Sequence, residues 1–247
     1  MEIAAGIEAR DTPSMLTGFP VIHVVTDSTS LLLPGFSERA EKIMRALGTR
    51  GALHLRSSRL SGRSFHGIAA RLAEVQTATG CWLIVNDRVD IARAVGARGI
   101  QLAAHSLRIS DALTVAPDIP VGASIHSVDE ARKSESEGAA WCVAGTVFET
   151  PSHEGRPPAQ IQFIAQVVAA VRIPVIAIGG IAPSDVGALR AAGAHGIATI
   201  RGAVWDCGAD AIPGPAAPTQ SSGLPLTYDD ADEPVARYIS AYDADDG

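Results

Sequence analysis

The chain has 247 residues, 47% of them apolar but only 4% aromatic, and a formal net charge of −7. This composition supports a core of aliphatic side chains, and a negative charge without a dense Lys/Arg run excludes nucleic acid and an anionic membrane surface as main partners. Three cysteines without CxxC spacing predict no disulfide framework and indicate a reducing, cytoplasmic location. The most apolar stretch, 161–181, is interrupted by polar residues and a proline, so no membrane span is expected.

Residues 1–18 mix acidic and apolar residues without a continuous apolar segment, which is not typical of a signal peptide and predicts a flexible leader. Beyond it, four helical segments each end in a glycine, and an apolar run follows at once. Helices commonly end at a glycine in the left-handed backbone conformation, which glycine adopts easily because it has no Cβ to clash. These glycines are Gly48, Gly96, Gly138 and Gly193.

Other strands are predicted from a proline at their entrance, where its missing N–H costs little. The segments are FPVIHVV, IPVGASI and IPVIAIG. A fourth strand, GCWLIVND, is predicted at the corresponding place between the glycine-preceded strands, although it lacks the proline. Helices are expected between the strands, at Ser37–Leu47, Ser64–Ala78, Arg88–Val95, Ser106–Val115, Ser127–Glu137, Ala159–Val171 and Pro183–Ala192.

Continuous apolar strands that alternate with helices predict a parallel sheet whose outer face is covered. Eight such units in about 200 residues predict a single α/β domain, a (β/α)8 TIM barrel, over residues 19–206. The alternative is a doubly wound sheet, but that fold needs an edge strand, and no strand is polar or interrupted. Residues 207–227, rich in Pro, Gly, Ala and Ser, predict a flexible insertion, and 228–247 predict a closing helix with an acidic tail.

A ligand of such a barrel binds at the C-terminal ends of the strands. Side chains alternate between the two faces of a strand, so His54 and Arg56 on the second strand are both predicted to face the barrel interior. An arginine buried there would need an anionic partner. Glycines at the ends of strands seven and eight would let backbone N–H groups approach a phosphate. The candidate ligand-binding residues are His54, Arg56, Asn86, Ser124, Thr150, Ser152, Gly179, Gly180, Ile200, Arg201 and Gly202. Of these, Thr150 and Ser152 lie in a long loop that is either a ligand clamp or an ordinary surface loop.

The chain resembles the thiamine phosphate synthase/TenI superfamily. The motifs that carry the resemblance are LHLRSS, VNDRVDIARAVGARGIQL, GASIHSVDEA, GTVFETPSH and VIAIGGIAPSDVGALRAAGAHGIATIRGAV. The resemblance implies a (β/α)8 barrel and one of two activities. The synthase joins a pyrimidine diphosphate to a thiazole phosphate with magnesium, and TenI-like thiazole tautomerases aromatise a carboxythiazole phosphate by a proton shift.

Departures from the synthase pattern favour the tautomerase. Against the synthase pattern Gln-x-Arg-x-Lys, this chain has His54, Arg56 and Ser58. One magnesium carboxylate of the family matches Asp87, whereas Ser106 occupies the position of the other. A synthase lysine is His153 here, and the loss of two cations and one metal ligand would leave the charge of a diphosphate uncompensated. We therefore expect no cofactor, and Mg²⁺ at Asp87 only if the chain is a synthase.

What remains matches the thiazole phosphate half of the family site: Thr150, Ser152, Gly180 and the strand-eight backbone. Arg201 stands where the family usually has Ser; it could grip the phosphate or fill the site. His126 aligns with the general acid/base of the tautomerases, and imidazole suits that role because it titrates near neutral pH. Its alternative is a packed ring at the top of the barrel.

Two further residues have structural alternatives. Asp87 could be the N-cap of a helix that starts at Arg88, and Ser127 with Glu130 predicts a capping box. The prediction is a TenI-like thiazole tautomerase whose partner is a small-molecule thiazole phosphate. The alternatives are a thiamine phosphate synthase or a non-catalytic barrel that binds a phosphate ligand. The sequence also allows a homo-oligomer.

Overall fold

The computed structural model describes residues 18–32, 34–149, 160–200 and 232–244. The strands are β1 (Ile22–Val25), β2 (Gly51–Leu55), β3 (Trp82–Asn86), β4 (Gly99–Leu102), β5 (Val121–Ile125), β6 (Trp141–Gly145), β7 (Val175–Ile178) and β8 (Gly196–Thr199). The α-helices are α1 (Phe36–Leu47), α2 (Gly62–Thr79), α3 (Val89–Val95), α4 (Ile109–Val115), α5 (Val128–Ser136), α6 (Gln160–Ala170), α7 (Val186–Ala191) and α8 (Asp232–Asp243). Short 3-10 turns cover Ser30–Leu32, Gly48–Arg50 and Pro183–Asp185.

The eight strands are parallel and form one closed barrel in sequence order, with β8 paired to β1. This confirms the (β/α)8 fold and excludes the doubly wound sheet, because closure leaves no edge strand. Parallel strands in a closed barrel bring all their C-terminal ends to one rim. The predicted strand-end residues that the structure describes therefore share that rim.

The predicted helix stops are confirmed. Gly48, Gly96, Gly138 and Gly193 all have positive φ, the region in which a Cβ is strained. Most predicted helices agree with the structure to within two residues at each end, with two exceptions. One is α4, which begins at Ile109 instead of Ser106, because the Ser106 hydroxyl caps the preceding loop by accepting from the Ala103 amide at 3.0 Å. The other is α7, which begins at Val186 instead of Pro183, because the first turn, Pro183–Asp185, is a 3-10 turn.

Two apolar clusters form the core, one between the strands and the helices and one inside the barrel. Alternation puts Leu53 and Leu55 in the outer cluster and Ala52 in the inner one, as the period of two predicts. Trp141 is fully buried inside the barrel, and a Cβ at Gly122 would lie 2.1 Å from its ring. Glycine on β5 thus makes the room that the indole fills.

The last described element, α8, closes the ring of helices by packing against α1 and α7. Its buried face carries Val235 and Tyr238, and the predicted closing helix is thus confirmed. In the described part of the chain, helices that combine the length and the apolar character needed to cross a bilayer are absent. The predicted leader, 1–18, lies outside the described residues except for Gly18, and so does the whole of the predicted insertion, 207–227.

Candidate functional site

The barrel rim brings together most of the predicted site residues. Those on the rim that the structure describes are Arg56, Asn86, Asp87, Ser124, His126, Gly179, Gly180 and Ile200. His54 instead lies buried inside the barrel, with 2% of its surface exposed. The remaining ones, Thr150, Ser152, Arg201 and Gly202, lie outside the described residues. Their predicted roles in ligand binding stay predictions.

His126 follows β5 directly and is exposed at the rim. Its Nδ1 lies 2.6 Å from the carbonyl oxygen of Gly145 at the end of β6. Because a carbonyl oxygen can only accept, Nδ1 carries the proton and Nε2 of the neutral ring is a proton acceptor. The backbone thus fixes the tautomer that a general base requires.

The helix that follows His126 confirms the predicted cap, with one difference. The Ser127 hydroxyl accepts from the Glu130 amide at 3.1 Å, as in a capping box. The Glu130 carboxylate, however, accepts from the backbone N–H of His126 at 2.6 Å. The cap therefore also holds the backbone of His126.

The glycine pair after β7 lies next to His126 through β6. Gly145 is the Cα partner of Ile178, and the amide of Phe148 donates to the Gly179 carbonyl at 3.0 Å. A Cβ at Gly180 would lie 2.5 Å from the carbonyl oxygen of Glu149. The close approach of the loop after β6 is thus one reason for glycine here, and phosphate binding by this turn stays a prediction.

A tyrosine of the C-terminal helix α8 is hydrogen-bonded to the backbone next to this glycine turn. The buried Tyr238 hydroxyl donates to the Ile181 carbonyl at 2.9 Å and is also hydrogen-bonded to the Thr199 side chain at the end of β8. The sequence predicted a closing helix here but gave no signal for this contact, which joins residues 57 positions apart. Tyr238 thus connects the ends of β7 and β8, where the phosphate site is predicted.

We expect Tyr238→Phe to lower the free energy of unfolding by about 1–2 kcal/mol, because the buried Ile181 carbonyl loses its donor. It should also weaken phosphate-ligand affinity. Urea unfolding and calorimetric titration measure the two effects. Tyr242→Phe is the matched control, since Tyr242 donates to the His195 carbonyl at 2.7 Å at the opposite end of β8. If both variants lower the affinity for the phosphate ligand equally, the Tyr238 hydrogen bond has no specific role in ligand binding.

Asp87 lies at the end of β3 and contacts the loop after β4. Its Oδ1 accepts from the Ala103 amide at 3.1 Å and from the Ser106 hydroxyl. The N-cap of α3 is Arg88, so the alternative reading of Asp87 as that cap is wrong. The two positions that the family resemblance predicts as metal ligands are thus in direct contact, one as carboxylate and one as hydroxyl.

The donor set permits one way of holding Mg²⁺. Among residues 18–32, 34–149, 160–200 and 232–244, no three His, Cys, Asp or Glu side chains are grouped as a metal site. Mg²⁺ nevertheless needs only one or two protein carboxylates when substrate phosphates complete its shell. Asp87, assisted by the Ser106 hydroxyl, therefore fits a magnesium ion that arrives with a diphosphate.

The expectation of a buried Arg56 is wrong. The strand ends at Leu55, and Arg56 is exposed. Its backbone N–H donates to Thr26 Oγ1 at 2.8 Å, and its carbonyl accepts from the same hydroxyl at 3.1 Å, so the chain turns out of the strand. Alternation therefore does not reach Arg56, and burial gives no reason for it to need an anionic partner.

A chain of hydrogen bonds inside the barrel ends at Ser124. The Trp141 Nε1–H donates to Gln101 Oε1 at 2.8 Å, and Gln101 Nε2 donates to Ser124 Oγ at 3.1 Å. Because Oγ accepts from the amide, the hydroxyl proton of Ser124 is directed elsewhere. The sequence gave no signal for Trp141 as the origin of this chain.

His23 and His54 form a second chain on the other side of the interior. Their Nδ1 and Nε2 atoms lie 2.8 Å apart, and His23 Nε2 lies 3.0 Å from the Pro20 carbonyl oxygen. Burial lowers the pKa of His23 to about 3 and the pKa of His54 well below its usual range. Both imidazoles are therefore neutral at pH 7.

This pair predicts a loss of stability in acid. The unfolded chain protonates His23 near pH 6.5, whereas the folded state does so only near pH 3, because burial lowers the His23 pKa. The contribution of His23 to the free energy of unfolding is therefore complete above about pH 6.5 and falls as the pH drops towards 3. From pH 7 to pH 5, His23 alone should remove about 2 kcal/mol from the free energy of unfolding. Urea unfolding at both pH values measures this.

The double variant His23→Leu/His54→Leu should flatten the pH dependence between pH 7 and pH 5, because it removes both buried imidazoles. The control is His66→Gln, which changes an exposed histidine. An unchanged pH dependence in the double variant would assign the acid sensitivity to other groups.

Comparison with known proteins gives consistent similarities. The sequence model of the family described as thiamine monophosphate synthase, TMP-TENI, matches residues 22–203. The thiamine-phosphate synthase of Methanoculleus marisnigri is 35% identical over 187 residues, which cover 75% of this chain and 88% of that protein. The thiamine-phosphate synthase of Chlorobium luteolum is 38% identical over 184 residues, 73% of this chain and 84% of that protein.

Among solved structures, thiamine phosphate pyrophosphorylase from Pyrococcus furiosus superimposes with a TM-score of 0.74 at 26% identity, covering 92% of this chain and 97% of that one. A 3-hexulose-6-phosphate synthase, at 14% identity and a TM-score of 0.58, shares the fold alone. The likeness thus extends over almost the whole barrel.

Proposed function

Because the chain belongs to the thiamine monophosphate synthase/TenI family, we propose that it is a thiamine phosphate synthase. In this reaction a pyrimidine diphosphate and a thiazole phosphate are joined and pyrophosphate is released. The names of the relatives favour this transferase activity over the tautomerase that the sequence departures favoured. The proposal therefore reverses the order of the two sequence-based hypotheses.

The contact between Asp87 and Ser106 is the observation that carries this proposal. The missing second carboxylate was one of the three departures that counted against a synthase, beside the loss of two cations. The Ser106 hydroxyl contacts Asp87, so one carboxylate and one neutral oxygen lie together at the rim. One or two protein carboxylates are enough for a magnesium ion that brings phosphate oxygens with it. When bound, Mg²⁺ supplies positive charge that offsets the charge of the diphosphate leaving group.

The remaining rim residues would bind and orient the substrates. Ser124 has its hydroxyl proton available for a diphosphate oxygen, because its oxygen already accepts from Gln101. The turn at Gly179 and Gly180 would hold the thiazole phosphate through backbone N–H groups, and Tyr238 would brace it. The bond between the pyrimidine methylene and the diphosphate breaks as the bond to the thiazole forms, and pyrophosphate leaves with the electron pair.

The tautomerase stays a second candidate because of His126. Its Nδ1–H is engaged by the Gly145 carbonyl, which leaves Nε2 as a base at the rim. A proton shift needs one group that accepts and returns a proton, and it needs neither a metal nor a second substrate. A single imidazole in a fixed tautomer meets that requirement.

One pair of assays separates the two activities. Purified protein is mixed with the pyrimidine diphosphate, the thiazole phosphate and Mg²⁺, and pyrophosphate release and thiamine phosphate formation are followed. A parallel sample with the carboxythiazole phosphate tautomer is followed by absorbance. Magnesium-dependent pyrophosphate release supports the synthase. Aromatisation without pyrophosphate release would reject it in favour of the tautomerase, and saturable binding without either reaction would favour a non-catalytic barrel.

A further inference from the structure

The interior face of β5 carries a glycine two positions before a serine. Gly122 faces the barrel interior, because a Cβ there would lie 2.1 Å from Trp141 Nε1. Side chains two residues apart on a strand share a face, so Ser124 points to the same interior one step nearer the rim, and it is partly buried. The indole of Trp141 thus occupies the space that the missing side chain of Gly122 leaves.

The indole fixes the orientation of a neighbouring amide. Gln101 on β4 is the Cα partner of Gly122, is buried, and its Oε1 lies 2.8 Å from Trp141 Nε1. An indole N–H can only donate, so the amide oxygen points at Trp141 and the NH2 end points away. That end lies 3.1 Å from Ser124 Oγ and donates to it. The direction of both hydrogen bonds therefore follows from one indole N–H.

We propose that Trp141 and Gln101 are positioning residues that occupy Ser124 Oγ as an acceptor and so keep its hydroxyl proton directed at an oxygen of the diphosphate. The inference rests on the proposed function and deepens it, because it gives two buried side chains a role in ligand binding that they exert through a third. Without the indole N–H, the amide of Gln101 is free to turn over and accept the proton of Ser124 inside the barrel. The rim would then present only a lone pair to the diphosphate.

The polar atoms of this chain are not needed to fill the barrel. Trp141 belongs to the apolar cluster inside it, where a hydrocarbon ring would also bury a large apolar area. A buried indole N–H and a buried amide cost free energy unless each is paired. Here the two hydrogen bonds lead in series from the interior to the rim, and the further contact of Gln101 Nε2, with the Leu102 carbonyl oxygen, is long at 3.5 Å. A function at the rim explains why this series is polar.

The test measures by calorimetry the affinity for pyrophosphate in the presence of Mg²⁺ and without a thiazole. Trp141→Phe keeps a ring but removes the N–H donor, and we expect it to weaken pyrophosphate binding about tenfold. Trp82→Phe is the matched control, because Trp82 lies in the same inner cluster but outside the hydrogen-bond chain. The control should keep the wild-type affinity, and equal losses in the two variants would overturn the role of Trp141.

Two combined variants separate positioning from packing. In a Ser124→Ala background, Trp141→Phe should have no further effect on the affinity, because no hydroxyl proton is left to turn inward. Gln101→Met added to Trp141→Phe should restore most of the affinity, because Met is also a long, flexible side chain but has no amide oxygen to accept from Ser124. A packing role predicts losses that add, and additive losses in either combination would overturn the inference.

Gln101→Glu takes the place of Trp141→Phe if thermal unfolding shows that the latter does not fold. A glutamate still accepts from the indole, but its carboxylate offers Ser124 only an acceptor. Its charge weakens pyrophosphate binding with or without the hydroxyl, so the expected result is a larger loss with Ser124 present than in the Ser124→Ala background. Equal losses in the two backgrounds would reject the inference.

Ser124→Ala alone can also overturn the inference, since an affinity for pyrophosphate equal to that of the wild type would leave nothing to position. The failure of the synthase proposal has a different signature. Hydroxyl-dependent pyrophosphate binding without pyrophosphate release from the two substrates would reject the synthase and leave the positioning role. Pyrophosphate release together with additive losses would reject the positioning role and leave the synthase.

Discussion

Asp87→Asn is expected to lower the rate of pyrophosphate release at saturating substrates by at least about 100-fold. The amide keeps an oxygen that can accept from the Ala103 N–H and the Ser106 hydroxyl, so the loop after β4 should keep its conformation. What is lost is the negative charge that would hold Mg²⁺ against the diphosphate. The measurement is the initial rate over a range of magnesium concentrations.

Asp90→Asn is the matched control for this prediction. Asp90 is an exposed carboxylate three residues away, and it is paired with Arg88 outside the rim. We expect the control to keep the wild-type rate and magnesium dependence. Equal rates for Asp87→Asn and Asp90→Asn would remove Asp87 from the reaction and, with it, the observation on which the synthase proposal depends.

His126→Gln is expected to separate the two candidate activities. If the protein aromatises a carboxythiazole phosphate, the variant should lose about 10²–10⁴-fold of that rate, because Gln has no group that can accept and return a proton. Pyrophosphate release should change by no more than a few fold, since Gln can still donate to the Gly145 carbonyl and hold the rim. Both rates are measured on the same preparations.

His105→Gln serves as the control for His126→Gln, because His105 is exposed on the neighbouring loop after β4. Its two rates should match those of the wild type. A His126→Gln variant that aromatises the thiazole at the wild-type rate would exclude His126 as the proton shuttle. The imidazole would then only link β5 to β6.

The sequence predicted the architecture well because the information is local. Prolines at strand entrances and glycines at helix ends fix each element by its own backbone geometry, and the positive φ of Gly96 and Gly193 confirms this reasoning. Eight repeats of such a unit leave few folds besides a closed barrel. Local patterns failed at Arg56, where a hydrogen bond to Thr26 ends the strand, and at Ser106, whose hydroxyl bonds the Ala103 amide and so delays the helix.

The candidate site was predicted only as a set of positions. The motifs named His126 and Asp87, but they gave neither the tautomer of the imidazole nor the donors that the carboxylate accepts from. Those properties depend on hydrogen bonds to residues far away in the chain, such as Gly145 for His126 and Ala103 and Ser106 for Asp87. Which atoms meet is decided by the register of neighbouring strands after closure.

The sequence by itself thus determined the order of the elements, the family and the end of the barrel where a ligand binds, because each follows from short patterns and parallel strand direction. Only the tertiary structure decided which polar atoms face the ligand. Tyr238 contacts Ile181 across 57 residues, and Trp141 reaches Gln101 across 40. The physical reason is that hydrogen bonds require donor and acceptor within about 3 Å of each other, a precision that only the closed barrel imposes.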